Sequence, residues 1–288
     1  MPADEFEKLQ GELDRLYERL DEYEADTTSI MTREYVASVR DAAGGIESQL
    51  AEFDTDDEGR LDAAIDAVAK TRLEALRSVS ATRQIWESWQ QRLERLRTLN
   101  ESYFALADGA QLDTVRVDDE VISELLGQWP QEGQPGTGLA GRFYSMSDHH
   151  RRELADMVTR HAMGGSTRAR LRDELVDTTG MAQTQAEQRI RDSTIQFSRS
   201  INARKADDRG YQYFKYFGPD DAITRPFCDD LLDDGPIFTR EEIADMDNGQ
   251  TGAGSVMVAG GGYRCRHHWR PVRREWFTDS EWSTQRAQ

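Results

Sequence analysis

Apolar positions recur by threes and fours through the first hundred residues. Phe6, Leu9, Leu13, Leu16, Leu20 and Tyr23 form one stripe among Glu, Asp and Arg, which predicts an amphipathic helix over 4–26. At about three heptads the stripe is short for a dimer zipper and suits a helix packed on its own neighbours. Asp26-Thr27-Thr28-Ser29 reads as a break. A second pattern through Met31, Tyr35, Val39, Ala42, Ile46, Leu50 and Phe53 predicts a helix over 31–53, weakened by Gly44-Gly45. The acidic run 54–59 reads as a turn.

The longest periodic segment is 60–106. Leu61, Ile65, Val68, Ala75, Val79, Trp86, Trp89, Leu93 and Leu96 share a seam that Arg72 and Thr82 interrupt. A continuous helix from 61 to 100 would be about 60 Å long, a length that suits a bundle or a strut. Trp86 and Trp89 read as core anchors. Asp118 is placed to cap a short helix through Val121, Ile122, Leu125 and Leu126. Pro130 to Gly138 reads as a flexible linker.

Beyond it, Ser147 is placed to cap a helix over 148–162, which Gly164-Gly165 ends. Ser166 or Thr167 opens another through Leu171 and Leu175, stopped by Gly180. A longer helix covers 182–209, and the aromatic run from Tyr211 to Phe217 predicts a strand. Asp233-Asp234-Gly235 is a turn feeding a short strand at Pro236-Ile237-Phe238. Thr239 and Glu242 form a capping-box start for a helix from Arg240 to Met246. Residues 247–262 are Gly-rich and read as loop, and there are no internal repeats. The expected class is α+β, mainly helical. A helical, coiled-coil-like domain over 1–130 is followed by a linker at 131–146. A smaller α+β domain with short strands covers 147–275, and 276–288 form a tail.

Charge adds a setting. The 288 residues carry 54 acidic and 36 basic side chains, a net charge of -18. Lys8, Lys70, Lys205 and Lys215 are the only lysines. An acidic, Lys-poor surface stays hydrated in molar salt, where charges are screened within ~3 Å. The composition therefore suits a halophile, and a GC-rich genome would also favour Arg over Lys. No apolar run approaches ~18 residues, so no membrane span or membrane partner is expected. The N-terminal stretch, charged from Asp4 onward, lacks an apolar signal core, so cytoplasmic synthesis is expected.

Candidate chemistry concentrates between 220 and 272. Both cysteines of the chain, Cys228 and Cys265, lie there, and two of the five histidines follow the second. A metal or a disulfide is expected to hold this loop-rich stretch. Cys228, Cys265 and His267 are usual zinc ligands, and a closed structural site needs a fourth. His268 is the nearest candidate, although adjacent side chains on a strand point to opposite faces. Asp220, Asp229, His149, His150 and His161 are the other candidates. The spacing is not that of a standard zinc finger.

The order of features over 150–275 resembles the C-terminal domain of the phage Mu F-like minor head proteins, also called phage head morphogenesis proteins. The carriers begin with the short helix from Gly165 to Leu175, then Arg189-Ile190-Arg191-Asp192-Ser193-Thr194, Asn202, Gly210 and the aromatic strand. Asp220-Asp221-Ala222-Ile223-Thr224-Arg225-Pro226-Phe227-Cys228 and the closing Gly262-Tyr263-Arg264-Cys265-Arg266-His267 complete the set. Asp220, Thr224, Arg225, Gly262 and Tyr263 stand at family-motif positions. The resemblance implies a non-enzymatic, low-copy virion protein at the portal vertex. It would act in head assembly and, as in some members, in genome packaging or delivery. Implied partners are the portal protein, a major capsid or scaffold protein and packaged viral DNA. The location would be the host cytoplasm during assembly and then the virion head. With the salt-adapted composition, it looks like a protein of a haloarchaeal tailed virus or provirus.

The sequence departs from the family in two places. His267 stands where a second Cys is usual, and the turn over 231–235 is one residue looser. The first 146 residues lie outside the resemblance. Interchange of His and Cys within the family fits metal ligands. A Cys228–Cys265 disulfide formed after virus release, or two buried free thiols, are the alternatives. Two further functions stay open. One is a metal-dependent nuclease or toxin-like effector using His267, His268 and nearby acids, which would want an open metal position and a general base. The other is a DNA-binding ejection factor using Arg189, Arg191, Arg199, Arg204, Arg264 and Arg266, with phosphate contacts that molar salt weakens. The same arginines could instead pair with acids of the protein itself.

Overall fold

The computed structural model describes residues 3–51, 64–131, 134–163, 167–232, 236–250 and 255–286, with the backbone alone for 3, 4, 6, 49–51, 64–80, 162, 163 and 168. The described chain is mainly helical with one three-stranded antiparallel sheet, as the α+β expectation has it. Nine α-helices are present among the described residues: α1 (Ala3–Ala51), α2 (Ala64–Ala107), α3 (Asp119–Leu126), α4 (Gly138–Met163), α5 (Arg168–Asp208), α6 (Pro226–Leu232), α7 (Arg240–Ala244), α8 (Val256–Ala259) and α9 (Asp279–Arg286). The strands are β1 (Tyr213–Phe217), β2 (Ile237–Thr239) and β3 (His268–Val272).

Three expected breaks are absent. Asp26-Thr27-Thr28-Ser29 lies inside α1. These residues are weak helix formers, costing about 0.5 kcal/mol each, and the burial of Met31 and Tyr35 outweighs that. Gly180 does not stop a helix; α5 runs through it. A mid-helix glycine costs about 1 kcal/mol, and Leu175, Ala182, Ala186 and Ile190 keep one buried stripe going. Ser147 is not a cap but sits inside α4, where its Oγ lies 2.9 Å from Thr82 Oγ1 and accepts from Arg151. That bond explains the polar interruption of the α2 seam at Thr82.

The stretch expected to be a flexible linker is largely built. The helix α4 takes up 138–146, and Gln131 and Gln134 exchange backbone hydrogen bonds. Gly127 packs so closely on Thr137 that a Cβ would lie 2.0 Å from the Thr137 carbonyl oxygen. The expected turn at 54–59, Leu61, Gly164-Gly165, Ser166 and Asp233-Asp234-Gly235 lie outside the described residues. So do the side chains of Phe6, Leu50, Phe53, Ile65, Val68, Arg72, Ala75 and Val79.

Two compact units are present, and neither is one continuous stretch. The first comprises residues 1–25, 93–121 and 191–288; the second comprises 26–92 and 122–190. In the second unit Ala43 and Ile46 of α1 pack with Leu154, Met157 and Val158 of α4 and Leu171 and Leu175 of α5. A second cluster joins Tyr35, Trp86, Trp89 and Phe143 through edge and tilted ring contacts. Trp86 and Trp89 are thus core residues, as expected.

The first unit is built on the sheet, ordered β2-β1-β3. The register sets Tyr216 opposite Trp269 and Phe217 opposite His268. Strand β3 has no period-two pattern because all five residues are buried, and its Pro271 is tolerated at a sheet edge. Leu13 and Leu20 of the expected α1 stripe are buried, but Tyr17 and Glu24 are the buried neighbours rather than Leu16 and Tyr23. Tyr17 packs on Tyr103 and Phe217. Thr239 and Glu242 form the expected capping box on α7. Pro226, at the first position of α6, pre-sets the helical φ and leaves no N–H to satisfy.

Candidate metal centre

Three segments of the first unit converge on one buried point. Helix α6 supplies Cys228, the loop before β3 supplies Cys265 and His267, and β1 supplies Tyr216. All four side chains are buried. The two cysteines are free, with their sulfurs 3.9 Å apart. Cys265 Sγ is 3.6 Å from His267 Nδ1. The Tyr216 hydroxyl lies 3.3 Å from Cys265 Sγ and 3.5 Å from Cys228 Sγ.

The surrounding backbone is shaped for this cluster. His267 Nε2 donates to the Pro219 carbonyl at 2.8 Å. A carbonyl can only accept, so the proton of the neutral ring sits on Nε2 and the Nδ1 lone pair faces the sulfurs. The backbone N–H groups of Gly261 and His267 both donate to Cys265 Sγ. At Gly261 a Cβ would lie 2.3 Å from Cys228 Sγ, so only glycine fits. Gly218 meets His267 in the same way, with a φ of 156°.

Arg199 ties the loop down from α5. Its buried guanidinium donates to the carbonyls of Val258, Ala259, Cys265 and His267. Asn202, one turn along α5, donates to the Trp269 carbonyl at 2.8 Å. The Cys228 hydrogen bond pulls the Cys265 thiol well down, against burial and with help from His267 and Arg199. The same contact, with burial, pushes Cys228 up, and burial pushes the Tyr216 phenol up.

His268 belongs to a different cluster. Its Nε2 lies 3.1 Å from Glu24 Oε2 and 3.5 Å from Asp21 Oδ1, both on α1. Burial works against its charge, but Glu24 and Asp21 outweigh it and raise the imidazole pKa. Burial raises the Asp21 carboxyl to about 6 against the pull of His268. The expectation that His268 is the fourth zinc ligand is therefore corrected, and the alternation of a strand is the reason. Asp220 and Asp229 are exposed. In the second unit His149 pairs with Glu153, His150 with Tyr35 and Gln185, and His161 with Glu174.

Residues of the two segments 221–225 and 261–266 brace the centre. Arg266 forms a two-pronged bond to Asp221, which holds that carboxyl down at about 2. Thr224 closes the same turn by bonding the Asp221 N–H and the Pro219 carbonyl. Arg225 donates to the Gly261 carbonyl at 2.8 Å. Gly262 has a φ of 86°, and the N–H of exposed Tyr263 donates to Gln250.

The expected nucleic-acid arginines divide. Arg199 is buried on carbonyls and offers nothing to a phosphate, which corrects its assignment. Arg266 is engaged by Asp221 and Arg204 by Asp208, while Arg191 is half-buried. Arg189 and Arg264 are exposed. Arg264 holds a positive φ of 60°, with its N–H bonded to Asp192. Sequence reasoning missed Tyr216 in the centre and Arg199 as its clamp. An aromatic in a strand and an arginine in a helix carry no spacing signal to a distant loop.

No family model, curated protein or solved structure matches the chain. No helix among the described residues is long and apolar enough to cross a membrane.

Proposed function

We propose that this chain is a minor head protein of a tailed virus with salt-adapted proteins. It docks at the portal vertex, becomes part of the head and acts in assembly without catalysing a reaction. One observation carries the reading. The two separated segments that carry the resemblance hold one another: Arg266 donates to Asp221, Arg225 donates to the Gly261 carbonyl, and the free sulfurs of Cys228 and Cys265 meet at 3.9 Å. Residues that hold a fold in this way are what a structural protein's signature requires. The Lys-poor, acidic composition supports the salt-adapted setting.

The test is peptide mass spectrometry of purified particles and procapsids of the virus that encodes the chain. The reading predicts a few copies per head in both. Absence from both, with the protein present in infected cells, would overturn it.

A further inference from the structure

We propose that Cys228, Cys265, His267 and Tyr216 bind one zinc ion, with the Tyr216 hydroxyl as the fourth ligand. The site does not depend on the head-protein reading.

The argument is geometric. Tetrahedral zinc lies about 2.3 Å from sulfur and about 2.0 Å from nitrogen or oxygen, so it holds two sulfurs ~3.8 Å apart and a sulfur ~3.5 Å from a nitrogen or oxygen ligand. The four known edges of this cluster match. Sulfur to sulfur is 3.9 Å, Cys265 to His267 is 3.6 Å, and the Tyr216 hydroxyl stands 3.3 and 3.5 Å from the two sulfurs. Metal-binding histidines characteristically use one ring nitrogen and donate from the other, as His267 does to Pro219. The N–H groups of Gly261 and His267 that reach Cys265 Sγ neutralise part of a thiolate's charge.

Charge balance agrees with burial. On binding, two S–H bonds break, two Zn–S bonds form and both protons leave to water. Two thiolates then cancel the 2+ charge, while the imidazole and phenol remain neutral ligands. A neutral group of this kind suits a site whose four side chains are all buried. The Tyr216 ring is held in place by stacking on His267 at 17° and by contact with Trp269, so its oxygen is fixed before the metal arrives. With four ligands from the chain the site is closed, so its role is structural.

The experiment uses the full chain, purified under reductant in molar KCl with zinc and without chelator. Elemental analysis is expected to give one zinc per chain, and X-ray absorption a shell of two sulfurs and two lighter atoms. The cobalt-substituted protein is expected to show thiolate charge-transfer and tetrahedral d–d bands. Tyr216→Phe keeps the ring contacts and removes only the oxygen. It is expected to weaken zinc by ~10-fold or more and to shift the cobalt bands as water enters. Cys228→Ser is expected to lose the metal. A Tyr216→Phe protein with unchanged affinity and spectrum overturns Tyr216 as a ligand. Folded, reduced protein that takes up no zinc, or a Cys228–Cys265 disulfide in protein freshly made in the cytoplasm, overturns the site.

Discussion

His267 and His268 are neighbours in the chain and serve different clusters. His267 turns its Nδ1 to Cys265 Sγ, 3.6 Å away, while His268 turns its Nε2 to Glu24, 3.1 Å away. Strand β3 begins at His268, and the change of face at that point separates the two rings. The pair therefore gives a clean test. His267→Ala is expected to abolish zinc binding. His268→Ala is expected to retain zinc and to lose about 3–5 kcal/mol of stability, because it removes the charge facing buried Glu24. Metal content and denaturant unfolding of both variants check this. Loss of zinc in both would contradict the separation.

Asp108 is a second hub of the first unit. Its carboxylate accepts from Arg209 and Tyr211, and both Nε and Nη2 of Arg273 reach it. Burial alone would raise its pKa, but the bonds from Arg273, Tyr211 and Arg209 outweigh burial and hold it low. A depressed carboxyl stabilises the fold above its unfolded pKa of about 3.9, and that stability fades as pH falls through the lower folded value. Stability is thus expected to drop with acid below about pH 4 in the wild type and to drop less steeply in Asp108→Asn. Asp108→Ala is expected to cost about 2–4 kcal/mol at neutral pH. Unfolding free energies between pH 2 and 7 decide it.

Glycines are expected to respond in opposite directions. At Gly180, in the exposed interior of α5, a Cβ meets nothing within 4 Å. Gly180→Ala is expected to stabilise the protein by about 0.5–1 kcal/mol. At Gly261 the same methyl would lie 2.3 Å from Cys228 Sγ. Gly261→Ala is expected to destabilise the protein and to lower its zinc content. Melting temperatures and metal content of the two variants, measured side by side, test this.

Arg199 separates a structural arginine from surface ones. Arg199→Lys is expected to destabilise the first unit by about 1.5–3 kcal/mol, since an ammonium cannot reproduce the fork that reaches four carbonyls. Exposed Arg189 and Arg264 are expected to tolerate the same change without measurable loss. Denaturant unfolding of the three variants makes the comparison.

The sequence pattern revealed the class of fold and the positions of the long helices, because burial repeats every three to four residues. Helix ends were less legible. Ser147 and Gly180 carry local cap and stop signals, and the bond to Thr82 and the buried stripe of α5 override them. Cys228, Cys265 and His267 stood out by residue type, and the chain brings them together. Tyr216 did not, because its role comes from the β1–β3 register, which pairs it with Trp269 across 53 residues of chain. His268 is the opposite case. Closeness in sequence suggested a shared ion, and the strand geometry forbids it.

The proposed place of work of this chain is the portal vertex. The most direct measurement is co-purification with the portal protein of the same virus, after co-expression in a salt-tolerant host and isolation in molar KCl. The account predicts a stable complex that survives size-exclusion chromatography. Folded protein that elutes alone, beside an intact portal ring, would contradict it.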